Sequence, residues 1–566
     1  GRRALAEIPP GARPCRRRPP TLHLPPPTAS WRFARRHAAA AGGGGSATEG
    51  GAPQEVRRQA GDCSTNNDAD DIDTLPLPQR LFSALRLRSF SDEELRERFG
   101  EANRNASGQL ELQEIIEVVR EAHSGRLTGE RLERHAERTS SETMGRFDTD
   151  KDARLSYDEF RSGIVKLAAQ TDRRMWPYAA SMLASGMSVG IVTPAMPMLV
   201  QDLDLSQAEY GYVVSAFGLS KLLANFPAGV AADVRGRRAA MVFGLIVVGC
   251  SSVVIGFASS LEHLIAARFL TGTGASFMMA GATLAVADIS TPLNRARMLA
   301  PVMTAFSAGT VLGPALGGGL IGAVGLSPTL FAVGGLFFAN AAVTRLLTAE
   351  TRPHTVGGAG AASTLGAVRQ TLSQWGPLWQ LGDLRAALAV NGAYWVACAG
   401  ANMTLVPLML AGQFGLSPAE IGTTFALQAA VSVACAGPAA WLADRFGPHR
   451  LLAPGLVCMA VSAAVLPMAP DMYWAAAPLA LNAVGNAMLA SAPTALAANL
   501  VPPEQRAQAI ALMRTMGDVG WLFGGVAIGG AATLMGTDFA MRGTAGFLLS
   551  AAGLFSARIS RFSGKK

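Results

Sequence analysis

Asp148, Asp150, Asp152, Ser156 and Glu159 place side-chain oxygens at positions 1, 3, 5, 9 and 12 of one twelve-residue stretch, with the apolar Leu155 at position 8. A hard divalent cation collects roughly six to eight oxygens, and such a loop supplies them once the position-7 carbonyl is counted, so the stretch reads as a calcium loop. Arg154 stands at position 7 and offers only that carbonyl, so its charge is no obstacle. Ala153 stands at position 6, where the backbone turns left-handed, at a cost of about 1 kcal/mol for a residue with a Cβ. The same spacing occurs 45 residues earlier in Asn103, Asn105, Ser107, Gln109, Glu111 and Glu114, which keeps Gly108 but begins with a neutral side chain. Fewer charges bind more weakly. That first loop is either a weaker site or a structural partner of the second.

A second set of reactive groups is stranded in apolar sequence, where an ionisable side chain is costly and reads as functional by default. Lys221 lies about ten residues from either end of its apolar stretch, roughly 15 Å at 1.5 Å per residue, too deep for its stem to reach water. Asp518 is as deep, one helical turn from Arg514, and is either half of an i,i+4 salt bridge or a proton-carrying carboxylate. Arg268 heads the pattern Arg268-x-x-x-Gly272-x-Gly274. Asn391, Asn402, Gln428, Asn482 and Asn486 supply neutral polarity, as cavity lining or as interhelical hydrogen bonds.

The elements that must hold these groups are membrane helices. Over 566 residues the chain is 49% hydrophobic and only 16% charged, with mean hydropathy +0.25, too apolar for a soluble globule. Twelve apolar stretches follow Met175, at about 175–200, 211–232, 239–259, 261–289, 298–323 and 327–347, then 384–411, 421–442, 451–469, 472–500, 508–535 and 539–557. A constant offset of 211 residues aligns the two sets: Leu205-Ser206, Glu209 and Gly211 with Leu416-Ser417, Glu420 and Gly422; Asp233 and Gly236 with Asp444 and Gly447; Pro292 and Arg295 with Pro503 and Arg506. Gly309, Gly313, Gly318 and Gly319 then meet Gly520, Gly524, Gly529 and Gly530 in the same register. Gapless agreement over so many landmarks is duplication. Six crossings return the chain to its starting side, so the copies are parallel, related by an axis along the membrane normal.

Two loops and one helix carry patterned glycines. Gly229-Val-Ala-Ala-Asp233-Val-Arg235-Gly236-Arg237-Arg238 joins the second and third stretches, and its copy, with Asp444, Arg445 and Gly447, joins the eighth and ninth. Here the chain resembles the major facilitator superfamily, whose signature loop reads G-x-L-A-D-R-x-G-R-K; the resemblance covers about residues 175–560. Physically, the glycines permit a tight turn and close helix approach, and the aspartate can accept from free N–H groups at a neighbouring helix start. The resemblance implies that Asp233 latches the halves in one state and releases them in the other. Gly309-Thr-Val-Leu-Gly313-Pro314-Ala-Leu-Gly317-Gly318-Gly319 is similar to the family's antiporter signature and favours exchange over uniport; in bare physical terms it is a seam of small residues with a bend-inducing proline. Leu183, Gly186, Gly190, Pro194 and Pro197 are similar to the first-helix pattern of twelve-helix drug:proton antiporters, and Arg268 to the arginine those proteins use in proton coupling.

The domain plan read from this pattern is a disordered, basic, Pro/Gly-rich region over 1–89, an EF-hand pair over 90–170 opened by a capping box at Ser91 and Glu94, six-helix bundles over 175–347 and 384–557, a linker over 348–383 and a basic tail over 558–566. The fold class is an all-α membrane protein of twelve transmembrane helices in two parallel repeats, preceded by a helical EF-hand domain. Residues 1–48 hold nine arginines against one acid, Glu7, and are either a plastid or mitochondrial transit peptide or plain disorder. Arg173, Arg174, Arg235, Arg237, Arg238, Arg295, Arg297, Arg445, Arg450, Arg506, Lys565 and Lys566 fall on one side, which puts both termini in the cytosol or its organellar equivalent. Asp202, Asp204, Glu262 and Asp471 fall on the other, with Arg542 the one basic exception. This topology accounts for the net charge of +8 and pI near 9.5 without nucleic acid. Cys15, Cys63, Cys250, Cys398, Cys435 and Cys458 show no paired spacing.

The expected protein is a monomeric secondary transporter of small organic molecules, coupled to protons by antiport and biased by Ca2+, with no enzyme constellation. The rivals are a facilitator or symporter of a nutrient or metabolite and a calcium sensor anchored by its membrane helices.

Overall fold

A computed structural model describes residues 77–87, 92–125, 127–169, 172–290, 295–351, 373–502 and 505–563. The basic stretch through residue 76 with Cys15 and Cys63, the Ser91 cap, Pro292, Pro503, most of the central linker, Lys565 and Lys566 lie outside these residues, as do the side chains of Arg295 and Arg297.

The polar front of the chain folds as α1 (Leu77–Ala84), α2 (Asp92–Ala102), β1 (Gln109–Glu111), α3 (Leu112–His123), α4 (Gly129–Phe147), β2 (Arg154–Ser156) and α5 (Tyr157–Ala169). Neither three-residue strand could stand alone, but β1 and β2 pair antiparallel with Leu110 opposite Leu155, and this pairing hides both leucines completely. The position-8 residues of the two loops thus bolt two helix–loop–helix units into one core with Leu95, Phe99, Val119, Ala136, Phe147, Phe160 and Ile164. Gly108 and Ala153, both at position 6, take φ of +81° and +62°, the left-handed turn expected there. One boundary needs correcting: α1 lies inside the stretch read as disordered to residue 89. Leu77, Leu81 and Phe82 are buried in the same core, so a polar, proline-flanked composition hid a short apolar face.

The membrane part begins at α6 (Trp176–Val192) and α7 (Ala195–Asp202), one expected helix broken at Thr193–Pro194. Then follow α8 (Gln207–Arg235), α9 (Arg237–Gly256), α10 (Leu261–Ile289), α11 (Arg295–Val324) and α12 (Leu326–Leu347). The second half runs α13 (Gly382–Ala397), a π-helical segment Cys398–Leu405, α14 (Val406–Gly412), α15 (Pro418–Phe446), α16 (His449–Val465), α17 (Met472–Leu489), α18 (Ala492–Asn499), α19 (Arg506–Met535) and α20 (Thr537–Ser563). By length and composition, 11 spans among the described residues can cross a membrane, where the sequence pattern predicts twelve. α20 takes the twelfth place and is long enough, but it is not among them; Arg542 within its apolar run lowers its hydropathy.

The duplication read from the sequence is visible residue by residue. Ser206 and Ser417 each cap the following helix through a reciprocal bond with Glu209 or Glu420. Gly236 and Gly447 each end a long helix with φ of +106° and +87°. Both turns lie at the end of the bundle that carries the arginines; the capping boxes lie at the opposite, acidic end.

Candidate functional site

Bringing two membrane helices close enough for polar groups to meet requires bare backbone at the crossing. α8 meets α19 where Gly211 faces Gly525 and Gly529, and a Cβ on Gly211 would overlap the Gly525 carbonyl. At the matching place in the other seam, a Cβ on Gly422 of α15 would overlap the Pro314 carbonyl of α11 and come within 3.1 Å of Gly318. These two seams, related by the repeat, join the halves. Among the described residues, the hydrogen bonds from α8 to the second half run from Gln207 Nε2 to Thr537 Oγ1 (2.9 Å) and Tyr210 OH to the Met403 carbonyl (3.0 Å) down to Asn225. The halves are therefore stitched from the acidic end to mid-depth.

The last stitch is charged. Lys221 Nζ lies 2.6 Å from Asp518 Oδ1, and Asn225 Nδ2 donates to Oδ2 of the same carboxylate at 2.6 Å. Ser276 of α10 donates to Asn225 Oδ1 at 2.9 Å, so a relay of three side chains on three helices orients Asp518. The Asp518 side chain is 8% exposed and that of Lys221 32%. Two residues picked separately from the sequence thus form one pair across the halves. The alternative salt bridge between Arg514 and Asp518 is not made: Arg514 is exposed, and the glycine crossing carries Lys221 to Asp518 from the facing helix. Beside the pair runs an aromatic row, with Lys221 Nζ 5.7 Å from the Phe217 ring centre, then Trp521 and Trp395 at successive centroid distances of 5.6 Å. Pattern reading missed this row, because its members come from three helices.

The neutral groups divide. Gln428 Nε2 donates to Asn482 Oδ1 at 3.3 Å and Asn482 Nδ2 to Asn402 Oδ1 at 3.2 Å, a chain of amide hydrogen bonds, and Tyr394 OH donates to Asn486 Oδ1 at 2.5 Å. Asn391 is instead interhelical glue, donating to the Met513 carbonyl at 2.8 Å. Arg268 lies one turn from Gly272, which packs on Ser220 next to Lys221, and its Nε is buried with no hydrogen-bond partner.

The charged turn at the arginine-rich end is built differently from the expectation. The carboxylate that accepts from the start of α9 is Glu350, from the backbone N–H of Arg237 (2.8 Å) and of Arg238 (3.2 Å). Asp233 pairs with Arg237 at 3.1 Å inside its own half, and Arg237 Nε also bonds Asp288 Oδ2 at 2.7 Å. Arg237 is held because its side chain, 7% exposed, must be neutralised from several sides. Gly236 is forced by its positive φ and by Glu350, whose Cδ would lie 2.7 Å from an added Cβ. Gly229 has open space around it, so the close approach expected there does not occur, and Arg235 simply ends α8. In the copy, Asp444 is exposed and makes no ion pair among the described residues, while Arg445 stacks on Trp441 at 5.3 Å.

The glycine signature serves two interfaces. Gly309, Gly313 and Gly317 press on the Leu183, Met187 and Ile191 carbonyls of α6, whose Gly186 and Gly190 face back toward Phe306 and Gly313. Gly318 alone of these four turns across the seam, against Pro418 and Ala419. α11 continues through Pro301 and Pro314 without a break in its helix.

In the loop that begins at Asp148, the side chains of Asp148, Asp150 and Asp152 bring one oxygen each within 4.8 Å of one another. Glu159 turns in from position 12, accepting from the Thr149 N–H at 2.8 Å and the Ser156 N–H at 3.1 Å. The Asp152 N–H favours the ionised form of Asp150, but desolvation and the charges of Asp152, Glu159 and Asp148 outweigh it and hold that carboxyl above its ordinary range. Such crowding fits a bound cation. Arg154 points away, to Glu111 at 3.3 Å. In the weaker loop, Ser107 N–H bonds Asn103 and Asn105, Ser107 Oγ donates to the Gln109 carbonyl, and Glu114 accepts from Asn105 and Glu111 N–H.

Two helical halves related by a repeat, with a charged pair at their crossing, define the class of membrane carriers with internally duplicated bundles. Residues 178–399 and 390–562 match the Major Facilitator Superfamily, and the chain belongs to it. Multidrug resistance protein 1 of Bacillus subtilis (strain 168) is 33% identical over 162 residues, 29% of this chain and 41% of that protein. The quinolone resistance protein NorA of Staphylococcus aureus is 30% identical over 132 residues, 23% and 34% of the two chains. The matched stretch thus spans less than half of each relative. A bacterial homologue of the human lysosomal transporter Spinster, in an inward-facing conformation, superposes with a TM-score of 0.56 at 17% identity, over 68% of this chain and 95% of that one. The human organic anion transporter MFSD10 gives 0.52 at 19% identity, over 68% and 99%. Family membership agrees with the expectation of a multi-pass membrane transporter that is not an enzyme.

Proposed function

We propose that this chain is a secondary transporter of small organic molecules that works by alternating access and exchanges its cargo for protons. The observation that carries the reading is the Lys221–Asp518 pair: a carboxylate at mid-depth, held across the two halves, that can change partner when the halves rock. Likeness to multidrug and quinolone resistance proteins supports export of drug-like compounds. The arginine-rich end is cytosolic by the positive-inside rule, and hydrogen bonds from α8 to the second half that, among the described residues, run from the acidic end to mid-depth fit a state open to the cytosol. The test is proteoliposome transport of a fluorescent quinolone under an imposed pH gradient. Accumulation that follows the gradient supports antiport; movement indifferent to pH points to the facilitator reading.

Asp233→Asn should slow turnover and leave cargo affinity within about twofold, since Asp233 lies in the last turn of α8, about three helical turns along that helix from Lys221. Affinity and turnover falling together would count against a gating role.

The front module is proposed to bind Ca2+ at Asp148, Asp150, Asp152 and Glu159, with the Arg154 carbonyl and Ser156 completing the shell, and the Asn103 loop serving mainly as its structural partner. Bound calcium supplies charge that draws the three aspartates together; the chain's part is to preorganise them. α5 stands a few residues ahead of α6, so its reorientation on loading would be felt by the first membrane helix. Modulation of transport by a few fold, about 1–2 kcal/mol of coupling, is the expected scale. Glu159→Gln should weaken calcium binding, read by calorimetry, about tenfold or more and make transport the same in chelator and in calcium. Unchanged calorimetry would remove the second loop as the site.

A further inference from the structure

α1 touches the front module with one face and the charged turn with the other. On the module side it packs on α3 and α4, one helix from each loop unit. Arg80, 3% exposed, bonds Glu142 at 2.6 Å and Thr139 at 2.9 Å of α4, and Ser83 Oγ lies 3.2 Å from His123 Nε2 of α3. Leu81 of α1 and Leu85 at its end belong to one buried cluster with Leu110 and Leu155, the paired leucines of the two loops, and the four line a small void of about 10 Å³. On the other face, Gln79 Nε2 donates to the Asp288 carbonyl at 3.1 Å. The Asp288 side chain is the partner of Arg237, whose backbone N–H bonds Glu350.

We propose that α1 is a built-in strap: it occupies the groove between α3 and α4, holds the charged turn through Gln79, and loosens when the paired loops take up calcium. The inference rests on the calcium reading above but names a route distinct from the α5 tether. The loop leucines and the strap are buried in one cluster, so a shift of the β1–β2 pair on loading changes the surface against which Leu81 and Leu85 pack. Helix pairs of this kind change their mutual angle on loading, and a helix wedged between members of both pairs cannot keep both sets of contacts. A helix of eight residues held by one ion pair, a few side-chain hydrogen bonds and a handful of apolar side chains belongs to the low-stability end of a fold, where local opening is cheap.

Hydrogen exchange on the full chain in lipid nanodiscs, with calcium or chelator, tests this. Calcium should protect the amides of 148–159, while those of 77–87 and the Arg237 and Arg238 amides exchange faster by about tenfold. In Gln79→Ala, which removes the tie without touching the module core, the Arg237 and Arg238 amides should already exchange fast in chelator and ignore calcium. Protection at 148–159 with no change at 77–87, or an unaltered calcium response of the turn in Gln79→Ala, overturns the strap alone. No response at 148–159 overturns the strap and the calcium reading together.

Discussion

Asp518→Asn is expected to abolish pH-driven accumulation while counterflow exchange of labelled for unlabelled cargo persists. Exchange needs no net proton movement, whereas uphill transport needs a group that binds and releases one. Removing a proton-transfer group costs about 100-fold or more in the step it serves. The geometry adds a condition that sequence alone could not state. The substitution leaves Lys221 facing an amide at mid-depth, so part of any loss comes from an uncompensated charge; a fully buried pair loses about 3–5 kcal/mol when one partner is removed, and the 32% exposure of Lys221 reduces that cost here. The double change Lys221→Met with Asp518→Asn separates the two effects. If the pair is structural, the double variant regains pH-driven transport lost by Asp518→Asn; if Asp518 carries the proton, it regains folded yield but not coupling. Intact pH-driven accumulation by the single variant would move attention to Arg268.

The second large effect is steric. Gly309→Val should lower the thermal midpoint of the detergent-solubilised protein by several degrees and reduce its folded yield, because the new Cβ would overlap the Leu183 carbonyl and lie 2.6 Å from the Met187 nitrogen. Overpacking a tight interface costs about 1–3 kcal/mol, and here the opposing atoms are backbone that cannot rotate away. Gly319→Val, ten residues along the same helix, serves as the control, because a Cβ there has nothing within 4 Å. Equal behaviour of the two would mean that the signature is not a packing seam. Gly318→Val tests the other interface: its Cβ would strike the Pro418 carbonyl across the halves, so transport should fail more than stability.

Much of the architecture is legible in the amino-acid sequence. The 211-residue register sets which residues are equivalent, because duplicated helices keep the same caps and crossings, and the paired boxes at Ser206 and Ser417 bear this out. The spacing of Asp148, Asp150, Asp152 and Glu159 locates the acidic cluster, since a loop that wraps a cation is local in sequence. Lys221 and Asp518 can be flagged singly, because cost in lipid depends only on depth. Their pairing cannot, since it needs the Gly211 and Gly525 crossing to bring α8 onto α19, and a lysine 297 residues from its partner leaves no periodic trace. Glu350 escapes sequence reading for the same reason: it follows the last apolar residues of its half and takes up the cap assigned to Asp233 only because α12 ends beside the start of α9. α1 is hidden by its length, too short for a helical period to show against a proline-rich background. Local chemistry and depth are properties of the chain; which charges meet, and which glycines face a helix or empty space, are properties of the packing.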